Sequence, residues 1–332
     1  MPGLAEAVDA LAAAEEFSGV VRVDRAGEVE LARAFGLAHR AHEVPNTLDT
    51  QFALASGTKG LTALTIVGLV EDGSLALDTT ARSLLGDDLP LIRDDVTVEH
   101  LLSHRSGIGD YLDEEVELDL ADYLMPVPVQ ELATTEQYLA ALDGRETKFP
   151  PGERFAYCNS GYVVLALIAE RAAGTAFHDL VRARVCEPAG MADTHFLRSD
   201  ELHARAALGY LEVGGAWRTN VFHLPVRGSG DGGIYSTAAD IALLWRAFFG
   251  GRIVSPAWVA EMVRPRGGPP DGPTRYGLGF LLPRRGAMLE GSDAGVSFAS
   301  THDPGERITA TVISNTSDGA WPMRRLLAEA LF

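Results

Sequence analysis

Strand-like segments crowd the two ends of this 332-residue chain, and the stretch between them reads as helix and loop. Near the start, Leu4 to Phe17 has helical spacing, and Ser18 to Ala38 then reads as two strands around Ala26-Gly27. Near the end, four more runs have strand character: Gly277 to Leu282, Gly286 to Leu289, Val296 to Thr301 and Ile308 to Ser314. Strands satisfy their backbone groups by pairing with other strands, so runs at both ends imply one antiparallel sheet built from the two termini. Between them, helical segments are expected at Thr58 to Glu71, closed by Asp72-Gly73, and at Val98 to Ser103, Thr135 to Leu142, Gly161 to Ala173 and Ala238 to Phe249; Trp321 to Phe332 returns to helix. The expected fold is α+β. An α/β sheet domain (residues 1–76 and 227–332) is flanked by helices and carries an inserted, mainly helical domain (residues 77–226), with a cleft where the two meet.

With 46% hydrophobic and 22% charged residues, the chain has enough apolar material for a large core. Its longest apolar stretch, Leu61 to Val70, is interrupted by Thr and Gly and falls far short of the roughly 20 residues of a membrane-spanning helix. The first residues, Met1-Pro2-Gly3-Leu4-Ala5-Glu6, lack the basic start and apolar centre of an export signal, which makes the cytoplasm the expected location. The two cysteines, Cys158 and Cys186, show no metal-binding spacing, and no metal or cofactor is expected. A formal net charge of −18 argues against nucleic acid or an anionic membrane as partner. Acidic residues are concentrated from Asp110 to Asp122, where Asp113, Glu114, Glu115, Glu117 and Asp119 occur without a basic neighbour, the pattern of a solvated face or loop.

Two constellations carry chemistry. In Ala55-Ser56-Gly57-Thr58-Lys59-Gly60, a serine and a lysine stand three residues apart at the mouth of an apolar helix. That spacing puts both on one face, where the lysine amine can accept the serine proton. By itself the pair is more simply read as an N-cap serine with a surface lysine. The second is Tyr157-Cys158-Asn159, in a Gly/Pro-bearing loop that runs into another apolar helix. A phenol close to a lysine ammonium can have a lowered pKa and relay protons, and an asparagine can bond both the lysine and a substrate carbonyl. The plainer reading is a buried tyrosine in a helix N-terminal turn.

Taken together with Leu101-Leu102-Ser103-His104-Arg105-Ser106-Gly107 and Gly232-Gly233-Ile234-Tyr235-Ser236-Thr237-Ala238-Ala239-Asp240, these motifs make the sequence resemble the serine β-lactamase and penicillin-binding-protein superfamily, in its class C-like branch of esterases and D-aminopeptidases. The resemblance runs from about Gly19 to Asn315 and implies the β-lactamase/transpeptidase-like fold. It implies that Ser56 is acylated, that Lys59 and Tyr157 share the proton transfers, and that Asn159 orients the substrate amide and the lysine. The oxyanion would lie between the Ser56 N–H and an N–H of a strand beside the cleft. A third family motif, a strand triad beginning with Lys or His, is best matched by Gly291-Ser292-Asp293-Ala294-Gly295. Ser292 then stands where a cation is usual, with Asp293 beside it, and Gly295 would supply the second oxyanion N–H.

The resulting expectation is a serine hydrolase acting on carboxylic esters, with neutral or cationic substrates preferred. An amide hydrolase of the same fold (a D-aminopeptidase, β-lactamase or D,D-carboxypeptidase) is the first alternative, and a catalytically silent binding protein the second. His100 and His104 are expected to be structural, Cys158 to be a small buried thiol, and Tyr111 and Trp217 to pack in the core.

Overall fold

The computed structural model describes residues 3–115, 122–201, 203–268 and 274–332. Helix α1 (Leu4–Ala14) precedes a hairpin of β1 (Gly19–Arg25) and β2 (Glu28–Phe35). Then come helices α2 (Thr58–Glu71), α3 (Val98–Leu102), α4 (Asn159–Ala173) and α5 (Ala238–Phe249). The chain closes with β3 (Arg275–Tyr276), β4 (Leu281–Leu282), β5 (Ala287–Asp293), β6 (Val296–Asp303), β7 (Ile308–Ser314) and α6 (Ala320–Leu331). Seven strands form one antiparallel sheet in the order β2-β1-β7-β6-β5-β4-β3. The chain ends meet in its middle, where β1 pairs β7 from Gly19↔Ser314 to Arg25↔Ile308. The sheet is built from both termini, as the strand pattern implies.

Alternation along the strands divides the core. Val21, Val23, Ala310 and Val312 face α1 and α6, meeting Val8, Ala12, Met323 and Leu327. Val20, Leu289, Phe298 and Ile313 belong to the larger core on the opposite face, with Leu61, Leu64 and Val67 of α2 and Trp245 and Phe248 of α5. In α2 every residue from Thr58 to Val67 is buried, and α4 is buried from Asn159 to Ala169. A helix apolar all round belongs inside the protein, not on its surface. The N-terminal ends of these two buried helices carry the serine-lysine and tyrosine-asparagine motifs. Among the described residues, no helix is long and apolar enough to cross a membrane.

One run expected as a single strand is broken. Between β3 and β4 the chain turns through Gly277 to Phe280, because Gly279 sits at φ +86° and packs so close to α2 that a Cβ would lie 2.2 Å from that of Ala63.

Asn315, 3% exposed, ties three distant segments together. Its Oδ1 accepts from Ser18 Oγ at 2.7 Å, and its Nδ2 donates to the carbonyls of Leu37 at 3.0 Å and Leu208 at 2.9 Å. Asn315→Ala leaves these groups unpaired in the interior, and a loss of about 2–4 kcal/mol is expected in urea unfolding.

Candidate active site

Ser56 lies in a single 3₁₀ turn, Ala55–Gly57, that leads into α2. Ala55 has φ +44°, a left-handed conformation that costs a non-glycine residue about 1–2 kcal/mol. The turn is held by Thr58, whose hydroxyl donates to the Ala55 carbonyl at 2.7 Å and accepts the Ile234 N–H at 3.2 Å. Strand β5 presses on it from the other side. A Cβ on Gly291 would stand 2.2 Å from the Leu54 carbonyl oxygen and 2.8 Å from the Ser56 nitrogen, so only glycine permits that approach.

Lys59 is 2% exposed. Its Nζ donates at 2.8 Å to each of three acceptors: Ser56 Oγ, Asn159 Oδ1 and the Asp231 carbonyl. Asn159 is oriented by its amide nitrogen, which donates to the Leu112 carbonyl at 2.9 Å and to Glu114 Oε1 at 3.2 Å, leaving Oδ1 for the lysine. The start of α4 is capped by Asp110, which accepts from the backbone N–H groups of Asn159 at 2.7 Å and Ser160 at 2.9 Å. Asp231 accepts a hydrogen bond from the Tyr111 hydroxyl.

The Tyr157 ring centroid stands 4.9 Å from Lys59 Nζ, and the phenol lies close enough to Ser56 for that side chain to act on its pKa. Burial and the Glu114 carboxylate push its pKa well above the ordinary tyrosine value, against a smaller lowering by the Ser56 contact. The expectation of a lowered phenol pKa is therefore corrected: desolvation and the nearby carboxylates raise it, and Tyr157 rests as a neutral phenol. His104 stacks on that ring at 4.2 Å and accepts the Cys158 N–H on Nδ1 at 3.1 Å. Burial, then Lys59, holds its imidazole well below the usual range, so it supports Tyr157 as a neutral ring. The Cys158 thiol is buried and pushed upward by desolvation. His100 caps the first turn of α3 by accepting the Thr97 N–H at 3.2 Å.

The pocket above Ser56 has apolar walls, including Leu197, Leu224 and Val226, and three carboxylates, Glu114, Asp231 and Asp293. Burial raises all three: Asp293 is pushed up to about 7, and Glu114 and Asp231 move upward against the opposing pull of Lys59.

Several placements differ from the sequence reading. The acidic run is not simply a solvated face. Asp110 and Glu114 turn inward to α4 and the pocket, while Asp113 and Glu115 pair with Lys148 at 2.7 and 3.2 Å; Glu117 and Asp119 lie outside the described residues. Tyr111 lines the pocket, and Trp217 is 46% exposed with Arg40 stacked 3.7 Å over its ring. Ser292 and Asp293 reach the pocket, but Gly295 does not serve as an oxyanion donor, because it forms the turn between β5 and β6 and its N–H donates to Ser317 Oγ at 2.9 Å. Asp231 escaped the sequence reading. Its one signal is a lone acid inside the glycine run Gly228-Ser229-Gly230-Asp231-Gly232-Gly233.

The chain matches the family model described as Beta-lactamase over residues 4–331. A penicillin-binding protein from Bacillus halodurans has a crystal structure that superposes with a TM-score of 0.91 at 34% identity, covering 98% of this chain and 100% of that one. Esterase EstB of Burkholderia gladioli is 34% identical over 54% of this chain and 47% of its own length. A D-aminopeptidase of Brucella anthropi is 32% identical over 52% of this chain and 31% of its own length. The matched segments are thus less than half of these two curated relatives. A match along nearly the whole chain, with the same fold in a solved relative, places this protein in the beta-lactamase family of serine hydrolases.

Proposed function

We propose that the protein hydrolyses carboxylic esters through an acyl-enzyme on Ser56. The observation that carries this reading is the 2.8 Å contact between Ser56 Oγ and the buried Lys59 Nζ. To act as base, Lys59 must first give up the hydrogen it directs at Ser56; its other two hydrogens stay on Asn159 and Asp231, and the freed lone pair faces the Ser56 hydroxyl. Ser56 attacks the ester carbonyl as its proton passes to Lys59. The neutral Tyr157 phenol, whose ring lies beside Lys59, protonates the departing alkoxide in this reading and is reprotonated through the lysine. Water then attacks the acyl-enzyme by the reverse proton path, releasing the acid and restoring Ser56.

The oxyanion is assigned to the N–H groups of Ser56 and Ser292. In an antiparallel ladder, residues bonded across the pair alternate with residues whose N–H points away. Asp293↔Val296 closes the hairpin, so Ser292 is of the second kind, on an edge that β4 covers only at Met288. Ser292→Pro, which removes that donor, should lower kcat by roughly 10²–10³, while Ser292→Ala keeps it and should stay within a few-fold of wild type.

The pocket chemistry supports neutral or cationic substrates. It offers three carboxylates and no cation besides Lys59 among the described residues that line it, so a carboxylated ester meets repulsion and an ammonium-bearing one attraction. The same acidic lining favours the second reading, hydrolysis of an amide next to a free amine, in line with the D-aminopeptidase relative. Matched ester and amide substrates decide between them. The ester should be turned over faster by at least a hundredfold, and an amide rate equal to the ester rate would favour the second reading.

Ser56→Ala should abolish turnover, and Lys59→Ala and Tyr157→Phe should each lower it by about 10² or more without adding in the double variant. A trimethylammonium ester should exceed its neutral tert-butyl counterpart in kcat/KM by roughly tenfold at pH 8 and low salt. Because Asp293 gains its charge as pH rises through about 7, that ratio should shrink towards pH 5.5, and also at high salt. The ratio cancels any titration of the nucleophile itself, so a pH-independent ratio would contradict the role given to Asp293.

A further inference from the structure

A second concave feature lies on the far side of the sheet from Ser56. Strand alternation turns Leu289 and Gly291 of β5 towards α2 and the Ser56 turn, and Met288 the other way. Met288, Val312 and Leu327, each no more than 5% exposed, underlie a groove of about 540 Å³, within the range of small-molecule sites, and its accessible apolar surface comes from Pro283, Ala328 and Phe332. The turn Pro283-Arg284-Arg285 and Arg324 of α6 also line it.

The charge of this groove is opposite to that of the molecule. In a chain of net charge −18, three arginines line it and, among the described lining residues, no carboxylate does. Arg324 is engaged with Glu290 at 3.1 Å, and Arg285 stands at 4.0 Å from Asp303, the outer limit of an ion pair. Arg284 is exposed and makes no ion pair with a described carboxylate. An apolar floor with guanidinium groups at one rim matches a ligand with an apolar tail and an anionic head, since guanidinium pairs bidentately with carboxylate.

We propose that this groove binds an amphipathic carboxylate, a medium-chain aliphatic acid, with its tail along Pro283, Ala328 and Phe332 and its head on Arg284 and Arg285. The site is separate from Ser56 and does not depend on the reaction catalysed there.

Calorimetric titration of Ser56→Ala protein with hexanoate, octanoate and decanoate tests this. One saturable site per chain is expected, tightening two- to fourfold with each added methylene. Decyltrimethylammonium should bind at least tenfold more weakly than decanoate. The double variant Arg284→Glu/Arg285→Glu should lose at least tenfold for decanoate, and Ala328→Trp, at an exposed position lining the groove, should block it. In the Ser56-intact background both variants should retain wild-type ester turnover, which also reports an intact fold. No saturable decanoate binding, binding unchanged in both variants, or equal affinity for decyltrimethylammonium would overturn the proposal. So would a stable dimer in sedimentation that decanoate fails to dissociate and that Ala328→Trp disrupts, because a second copy of the chain would then own the groove.

Discussion

The Nζ of Lys59 is buried, and its hydrogen-bond needs must be met from inside the protein. The three acceptors come from sequence separations of 3, 100 and 172 residues, so the turn before α2, the start of α4 and the glycine-rich loop must arrive together. Each of those segments is fixed in turn by a neighbour: Ala55 by Thr58, Asn159 by Asp110 and Glu114, and Asp231 by Tyr111. The sheet enters through Gly291, whose missing side chain lets β5 lie against the Ser56 turn. A shift in any one of these would leave a buried polar group without a partner, which is why the site and the fold are the same problem here.

Around this nitrogen the protein has gathered carboxylates. Asp110 accepts from the start of α4, whereas Glu114 and Asp293 line the pocket, and desolvation raises the pKa of all three. That lining gives the site a sign, and the proposed preference for neutral and cationic substrates follows from it. The far face of the sheet has the opposite sign, set by Arg284, Arg285 and Arg324 over an apolar floor.

Much of this was legible in the sequence. Periodicity alone located α2, α5 and β7 almost to the residue, because these are long, regular and bounded by glycine or polar breaks. The serine-lysine spacing is local, so its geometry could be read from helix pitch. The long-range partners could not. Asp110, Glu114 and Asp231 look like surface acids in a chain with 46 acidic residues, and only the tertiary fold turns them inward. The Tyr157 pKa moves opposite to the sequence expectation because desolvation, its largest cause, depends on burial that sequence does not display. Gly295 was misread because a two-residue turn places it beyond the strand edge, and Gly277 to Phe280 because glycine marks close packing rather than strand there.

The central claim is that Ser56 is the atom acylated, and trapping it is the most direct measurement. Incubation with a fluorophosphonate ester, followed by intact mass and peptide mapping, should show one adduct per chain, on the peptide containing Ser56. The adduct should be absent from Ser56→Ala protein with unchanged circular dichroism and should form at least a hundredfold more slowly in Lys59→Ala. An adduct on another residue, or labelling at wild-type rate in Ser56→Ala, would contradict the account.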